Sequence, residues 1–538
     1  MTRDDRGDPR ATLELAVRRS ARGEAGPAAA LVAAVAQAVP DHPELGTARG
    51  ALAFNEAVRA WNAGDAAAAE AGLRQALGHA PLPQAAAALA ELQQRRAAAL
   101  AGAGDWRGAG AALREALRLG AAREPLAGLA MRLGSAHLAA ALAAVPRDVL
   151  AATELALAAW DLAPAADTYD AAWKLCVSVG PNLIGPAVPE AALRARLTPG
   201  VESYAARVGL GNVLRRSGMR NAAESAYRGA QTLWPTAPFA ASRLGSLFAD
   251  ARRWRAADAL FAAIAHDHGG RERILRLDPG YVAGLRQRPA RAAVAIDDGE
   301  AAGAPPPRWV VMAGADGGYF ARFGRQMALS VRDRCGVDGA VHLHLVDPDA
   351  AQVAQLAALR AELAPLRLDW SIERPDLGGF GADRRTYYAC ARFLALPAIL
   401  ARHRCPVVML DIDSRVLRDL APLTAQVVDE DADLGIVAGE PWEIWGTDWA
   451  DQLVVRPTAP GREFAAMVAA YIDEAFAGGR RDWFLDQVAL YAVRHLGFAG
   501  RAAPRWVFWS RDVQNAGPES FVWSMHVSQP ANRQAAPA

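Results

Sequence analysis

Lysine is almost missing from this chain: of 59 basic side chains, only Lys174 is not arginine. A phosphate-binding loop needs a Gly-Lys-Ser/Thr ending so that the ammonium reaches the outer phosphates, and no such triplet occurs, which excludes a Walker-type ATPase. A kinase or a Schiff-base enzyme would have to rely on Lys174, which lies in Ala172-Trp173-Lys174-Leu175, a stretch with the pattern of an amphipathic helix. Cysteine is nearly as scarce. Cys176, Cys335, Cys390 and Cys405 form no Cys-x-x-Cys pair and have no histidine at zinc-finger spacing, so reduced, buried thiols are expected. Net charge is also absent: 59 basic against 58 acidic side chains leave +1, which gives no bulk attraction to nucleic acid or to an anionic membrane. Any charge-dependent function must sit in a local site.

Long uncharged apolar runs are lacking as well. Arg132, Arg147, Asp148 and Glu154 interrupt the longest candidate before it reaches the ~18–20 residues that span a bilayer, so no transmembrane segment is expected. The apolar run 28–39 follows Asp4, Asp5, Asp8, Glu14 and Glu24, which predicts a helix of the mature protein rather than an export signal. The expectation is a soluble, cytoplasmic protein. With 538 residues and 52% hydrophobic content, the chain is too long for one ordinary domain and too apolar for disorder, so two or three folded units follow.

After a flexible N-terminus (1–24), alanine, leucine and arginine dominate 25–287, the composition of tightly packed helices. Leu210, Gly211, Leu214, Gly218, Ala223, Tyr227 and Ala230 are followed at a constant offset of 34 by Leu244, Gly245, Phe248, Arg252, Ala257, Phe261 and Ile264. Weaker copies run through Gly64, Ala69, Leu73, Ala76 and Pro81, through Gly104, Ala109, Leu113 and Ala116, and through Ala152, Ala156, Ala159 and Pro164. This pattern resembles the tetratricopeptide repeat, with small residues where two helices cross. The resemblance implies an all-α solenoid whose surface holds a protein or peptide.

At 288–307 the pattern gives way to a Pro/Gly/Ala linker ending in three consecutive prolines. Beyond it, strand-like runs at 309–313, 341–346 and 407–410 alternate with helical stretches at 350–363 and 387–400, which predicts an α/β domain with a largely parallel sheet over 308–533 and a short tail at 534–538. Ligands of such sheets bind beyond the C-terminal strand ends. The strand Val407–Leu410 runs into Asp411-Ile412-Asp413, and strand alternation would set both carboxylates on one side, where they can share a hard divalent cation carrying a diphosphate. The other Asp-x-Asp triplets, at 347–349, 429–431 and 431–433, follow no such strand and read as loops or helix starts. His342 and His344 share a strand face with no carboxylate beside them in sequence, and are read as structural.

From Trp309 to Arg533 the chain resembles the GT-A-type glycosyltransferases, in particular glycosyltransferase family 8. The resemblance rests on an ordered set: Ala315-Asp316-Gly317-Gly318-Tyr319 and Ser330; Thr386-Tyr387-Tyr388-Ala389-Cys390-Ala391-Arg392-Phe393; Asp411-Ile412-Asp413; Trp483-Phe484-Leu485-Asp486-Gln487; and His526. It implies a nucleotide-diphospho-sugar donor, with a UDP-sugar favoured, and Mn²⁺ or Mg²⁺ held by Asp411, Asp413 and His526. It further implies that Asp316 and Tyr319 contact the nucleoside, that Arg392 lies near the diphosphate or donor sugar, and that Asp486 and Gln487 face the sugar and acceptor. Read from the residues alone, His526 is equally a half-buried strand histidine, Arg392 a partner of a helix acid, Asp486 a helix cap and Tyr319 a core residue. Two departures stand out. Trp449-Ala450-Asp451-Gln452 replaces the family's Asn-x-Gly segment, and Arg533 is the candidate for the missing terminal Lys-Pro charge. The expected function is a metal-dependent glycosyltransferase acting on an acceptor that the helical repeats can recruit. Its alternative is a catalytically inactive repeat scaffold.

Overall fold

The computed structural model describes residues 8–179, 187–197, 203–269, 271–288, 296–297, 306–439, 443–513 and 519–524. The chain divides into two compact units, Met1–Met219 and Arg220–Ala538.

The described part of the first unit is helical. Its punctuation is a repeated Gly-Asp pair. Gly64 and Gly104 end helices Leu45–Asn62 and Pro83–Gly102 at positive φ, where a side chain is strained. Asp65 and Asp105 then cap Ala66–His79 and Trp106–Arg118 by accepting from Ala68 N and Gly108 N, each at 2.9 Å. Each such pair of helices packs together, as do Ala127–Ala144 and Val149–Leu162. Small residues permit the close crossings: a Cβ on Gly72 would lie 2.9 Å from that of Ala57, and one on Gly134 would lie 2.7 Å from that of Ala163. By length and composition alone Glu124–Ala144 is apolar enough to cross a membrane, the one such helix among the described residues.

The second unit opens with helices α1 (Arg220–Leu233), α2 (Pro238–Asp250) and α3 (Trp254–His268). It therefore begins well before the proline run at which composition changes. The reason is packing: Arg243 of α2 is buried in an ion pair with Glu443, Ser246 Oγ donates to Glu443 Oε2 at 3.3 Å, and Tyr471 Oη donates to Ile274 O at 2.7 Å while accepting from Arg276 N at 2.9 Å. In α2, Gly245 faces Phe261 of α3 so closely that a Cβ would lie 2.7 Å from the ring. Phe261 is fully buried and has nowhere to retreat. Gly245→Ala is expected to cost about 1–3 kcal/mol, read as a lower urea midpoint with an unchanged denaturant slope.

The α/β part carries β1 (Ile296–Asp297), β2 (Val310–Asp316), β3 (Ala340–Val346), β4 (Arg367–Glu373), β5 (Val407–Leu410), β6 (Ser414–Val416), β7 (Leu434–Ala438), β8 (Asp448–Val455), β9 (Trp506–Trp509) and β10 (Val522–Ser524). Eight strands form one sheet in the order β1-β4-β3-β2-β5-β8-β7-β9, and β6 pairs with β10. Strands β4, β3, β2 and β5 are parallel neighbours, but β8 runs antiparallel to both β5 and β7, and β1 antiparallel to β4. The sheet is thus mixed where a largely parallel one was expected. The connection from β7 to β8 is too short for a parallel crossover, so the chain turns back beside β7.

Residues of β2, β3 and β5 are almost wholly buried, as parallel strands covered on both faces must be. Helices α4 (Arg325–Cys335) and α5 (Ala350–Leu363) precede and follow β3, and α6 (Arg384–His403) packs on β2 and β3. Asp349 begins α5 with a reciprocal capping box to Gln352, as a helix start should. Gly314 of β2 lets α6 come close: a Cβ there would lie 2.8 Å from Arg392 Cβ. All four cysteines are buried and unbridged.

Candidate active site

Beyond the C-terminal ends of β2 and β5 lies a cavity of about 490 Å³, within the range of small-molecule sites. Its lining includes Asp316, Tyr319, Arg392, Asp411, Asp413, Asp486 and Gln487. Seven of the nine side chains singled out from sequence therefore meet at one place. The other two, His526 and Arg533, lie outside the described residues.

The Asp411/Asp413 pair does not converge by strand alternation. The strand ends at Leu410, and Ser414 N donates to Asp411 O at 3.0 Å, closing a tight turn around Ile412. The buried Ile412 anchors that turn in the core. After it the chain enters β6, which pairs antiparallel with β10 so that Ser414 faces Ser524. Ser524 itself lines the cavity.

Burial divides the two carboxylates. Asp411 is partly open, whereas Asp413 is 7% exposed. Burial first, and then the charge of Asp411, push Asp413 up to about 7. At neutral pH the Asp413 carboxyl stands between its protonated and ionised forms, and a divalent cation bound beside it would favour the ionised one.

Arg392, on α6, is the residue that the family resemblance sets near the diphosphate or donor sugar. Here it is 4% exposed and serves its neighbours. Its guanidinium pairs with Asp411, lies 3.8 Å from Asp486 Oδ2 and donates to Ala450 O at 3.0 Å. Asp486 sits in the first turn of α7 (Leu485–Leu496) but does not cap it; Phe484 occupies the cap position. Burial raises the Asp486 carboxyl, and Arg392 partly offsets this. Asp316 accepts from Gly318 N at 2.8 Å and Tyr319 N at 3.1 Å, which fixes the loop after β2. Tyr319 is half-buried against Phe323, and burial followed by the Asp413 charge raises its phenol.

The same cavity is lined by Arg385, Tyr388, Asp451, Trp483 and Phe484, none of which sequence reasoning had assigned a role. Phe484 has φ +77°, a left-handed conformation rare for an aromatic residue and of the kind found at functional sites. Trp483 beside it is 49% exposed. Its place in Trp483-Phe484-Leu485-Asp486-Gln487, three residues before Asp486, is the signal that the sequence offers.

No protein-family model matches the chain, and no curated protein matches it in sequence. Among solved structures it is similar to the apo structure of the bifunctional glycosyltransferase WbbM, at 14% identity and TM-score 0.30, with 43% of this chain and 47% of that chain covered. It is also similar to the apo form of mouse xyloside xylosyltransferase 1, at 12% identity and TM-score 0.27, with 42% of this chain and 99% of that one covered. The chain thus spans about half the length of WbbM.

Proposed function

We propose that the Arg220–Ala538 unit is a metal-dependent glycosyltransferase that takes a sugar from a nucleotide-diphosphate donor, with a UDP-sugar favoured. The observation that carries this reading is the charge of the cavity. Five carboxylates (Asp316, Asp411, Asp413, Asp451 and Asp486) face two guanidiniums, of which Arg392 is already paired. An anionic diphosphate entering alone would meet net repulsion, and one entering with a divalent cation would not.

Asp411 and Asp413 would hold Mn²⁺ or Mg²⁺, joined by His526 if its imidazole reaches them from beyond Ser524. When bound, the ion supplies neutralisation of the charge that develops on the departing diphosphate. The chain's own part is positioning. Arg392 holds Asp411 and Asp486 at fixed places, Asp316 and Tyr319 form the nucleoside wall, and Asp486 and Gln487 face the sugar and acceptor. Helical pairs in the first unit, taken as tetratricopeptide-like, would recruit a protein acceptor.

Trp483 fits a stacking platform for the sugar or acceptor. Trp483→Ala is expected to raise KM about tenfold, equivalent to ~1.4 kcal/mol, while the melting temperature stays put because little packing is lost.

The deciding test is a thermal-shift panel on the full chain with UDP, GDP, CMP and ATP, each with and without Mn²⁺. One diphosphate that stabilises only with Mn²⁺, by about 2.7 kcal/mol at 100 times its Kd, supports the transferase and names the base. Pyrophosphate release from a nucleoside triphosphate would replace it with a nucleotidyltransferase. No shift with any nucleotide in a folded chain would replace it with a binding scaffold.

A further inference from the structure

The face of β3 that sequence reasoning left as structural is accompanied by a carboxylate after all. Asp369 of β4 stands directly opposite His342 in the parallel register, and His403 comes from the end of α6. One ligand-capable atom from each of the three lies within 4.8 Å of the others, and all three residues are buried. His342 Nδ1 and His403 Nε2 are each buried without a hydrogen-bond partner, and both rings flank the Asp369 carboxylate. Isolated orphans of this kind are rare, and two beside one buried carboxylate need a common explanation.

The surroundings are those of a ligand set. His342 Nε2 is 3.0 Å from Ser371 Oγ, which is itself 2.8 Å from His344 Nδ1, so the ring's orientation is fixed through Nε2 while Nδ1 has no hydrogen-bond partner. Metal-bound imidazoles characteristically use their second nitrogen this way. Asp369 is oriented by Arg367, whose Nε is 3.0 Å from Oδ1 and 2.8 Å from Oδ2. His403 Nε2 is 3.8 Å from Asp369 Oδ2. A point equidistant from three atoms 4.8 Å apart is about 2.8 Å from each, and movements under ~1 Å would reach zinc bond lengths of ~2.0–2.2 Å.

We propose that His342, Asp369 and His403 form a second, structural metal site that takes a divalent transition ion, zinc above all, through two imidazoles and one carboxylate. It shares no residue with the cavity. Arg392 and His403 lie 11 residues apart on α6, a separation of about 16 Å along the helix. The ion would clamp the end of α6 to β3 and β4, the strands on the side of β2 away from Asp411. Arg367, with Arg360 and Arg402 also acting on Asp369, tempers the affinity for a cation. That favours a borderline ion bound by nitrogen over a hard ion bound by charge alone.

The test is metal content by plasma mass spectrometry on the full chain, produced in zinc-supplemented medium and freed of loose metal. The Asp411→Asn/Asp413→Asn form serves as background, to silence the donor cavity. About one equivalent of zinc per folded chain is expected, retained in that background and lost on His403→Gln or Asp369→Asn. Should those variants not fold, Co²⁺ incorporated into the background form gives the second readout, since visible bands of a low-coordinate N/O site are expected. Zinc below a tenth of an equivalent, no such Co²⁺ spectrum, or metal that leaves with the Asp411/Asp413 change and survives His403→Gln would each overturn the proposal.

Discussion

Asp413→Asn is expected to raise the melting temperature at pH 8 while abolishing stabilisation by Mn²⁺ and nucleotide diphosphate. Asp413 is held up to about 7 in the folded chain, from an ordinary 3.8, by burial and by its neighbour Asp411. The folded state therefore binds this proton more tightly than the unfolded state. Below about pH 4 both states are protonated and nothing is lost. As pH rises through the window from about 4 to about 7 the unfolded chain gives up its proton first, and stability falls. Above about 7 the full penalty applies. A three-unit displacement corresponds to about 4 kcal/mol at most, and relaxation and the coupling to Asp411 reduce this to ~1–3 kcal/mol. Asparagine keeps the shape and removes the charge. The difference in melting temperature between variant and wild type should be near zero at about pH 3, grow as pH rises from about 4 to about 7 and be largest at pH 8, and a flat difference across that range would refute the argument. The ligand effect has the opposite sign because a cation needs the charge that the apo fold resists, the usual conflict between stability and function at a site.

The parts of this site legible in sequence were those set by local pattern. The strand Val407–Leu410 and the helix Ala350–Leu363 follow from apolar periodicity and capping, and both fall where the sequence puts them. Asp411 and Asp413 were visible because a polar residue after a buried run has few other places to go, whereas Asp316 came only with the family resemblance. What was not legible depended on pairing between distant segments. The antiparallel insertion of β8 between β5 and β7 has no signature in its own residues, since a buried strand reads alike in either direction. Asp369 was invisible as a partner of His342 because only the β3/β4 register brings it there. The start of the second compact unit at Arg220 was hidden for the same reason: Arg243 and Glu443 are far apart in the chain, and nothing local marks them as an ion pair.

Arg392→Met should be among the most destabilising single changes in the second unit, costing about 3–5 kcal/mol, with loss of activity. Arg392 is buried, and its partners Asp411 and Asp486 are carboxylates whose charge it offsets. Removing it takes from both acids the cation that pairs with them and frees the carbonyl of Ala450 from its donor. Arg392→Lys keeps the charge but not the fork, and one ammonium cannot serve Asp411, Asp486 and Ala450 O together, so an intermediate loss is expected. A double-mutant cycle separates this account from simple loss of packing. If unpaired carboxylates are the cost, adding Asp411→Asn to Arg392→Met removes one of them, and the double variant should unfold at a higher urea concentration than Arg392→Met alone, by about 1–2 kcal/mol. If packing were the cost, the second change would add nothing or make matters worse. The same cycle bears on the proposed function, in which Asp411, the anchor of Arg392, is also one of the two carboxylates that would hold the donor's cation. A metal that draws on Asp411 must loosen its hold on Arg392, and the guanidinium is then available to Asp486, 3.8 Å away. Under the proposed function, donor binding and the placement of Asp486 would in this way be coupled through one buried arginine.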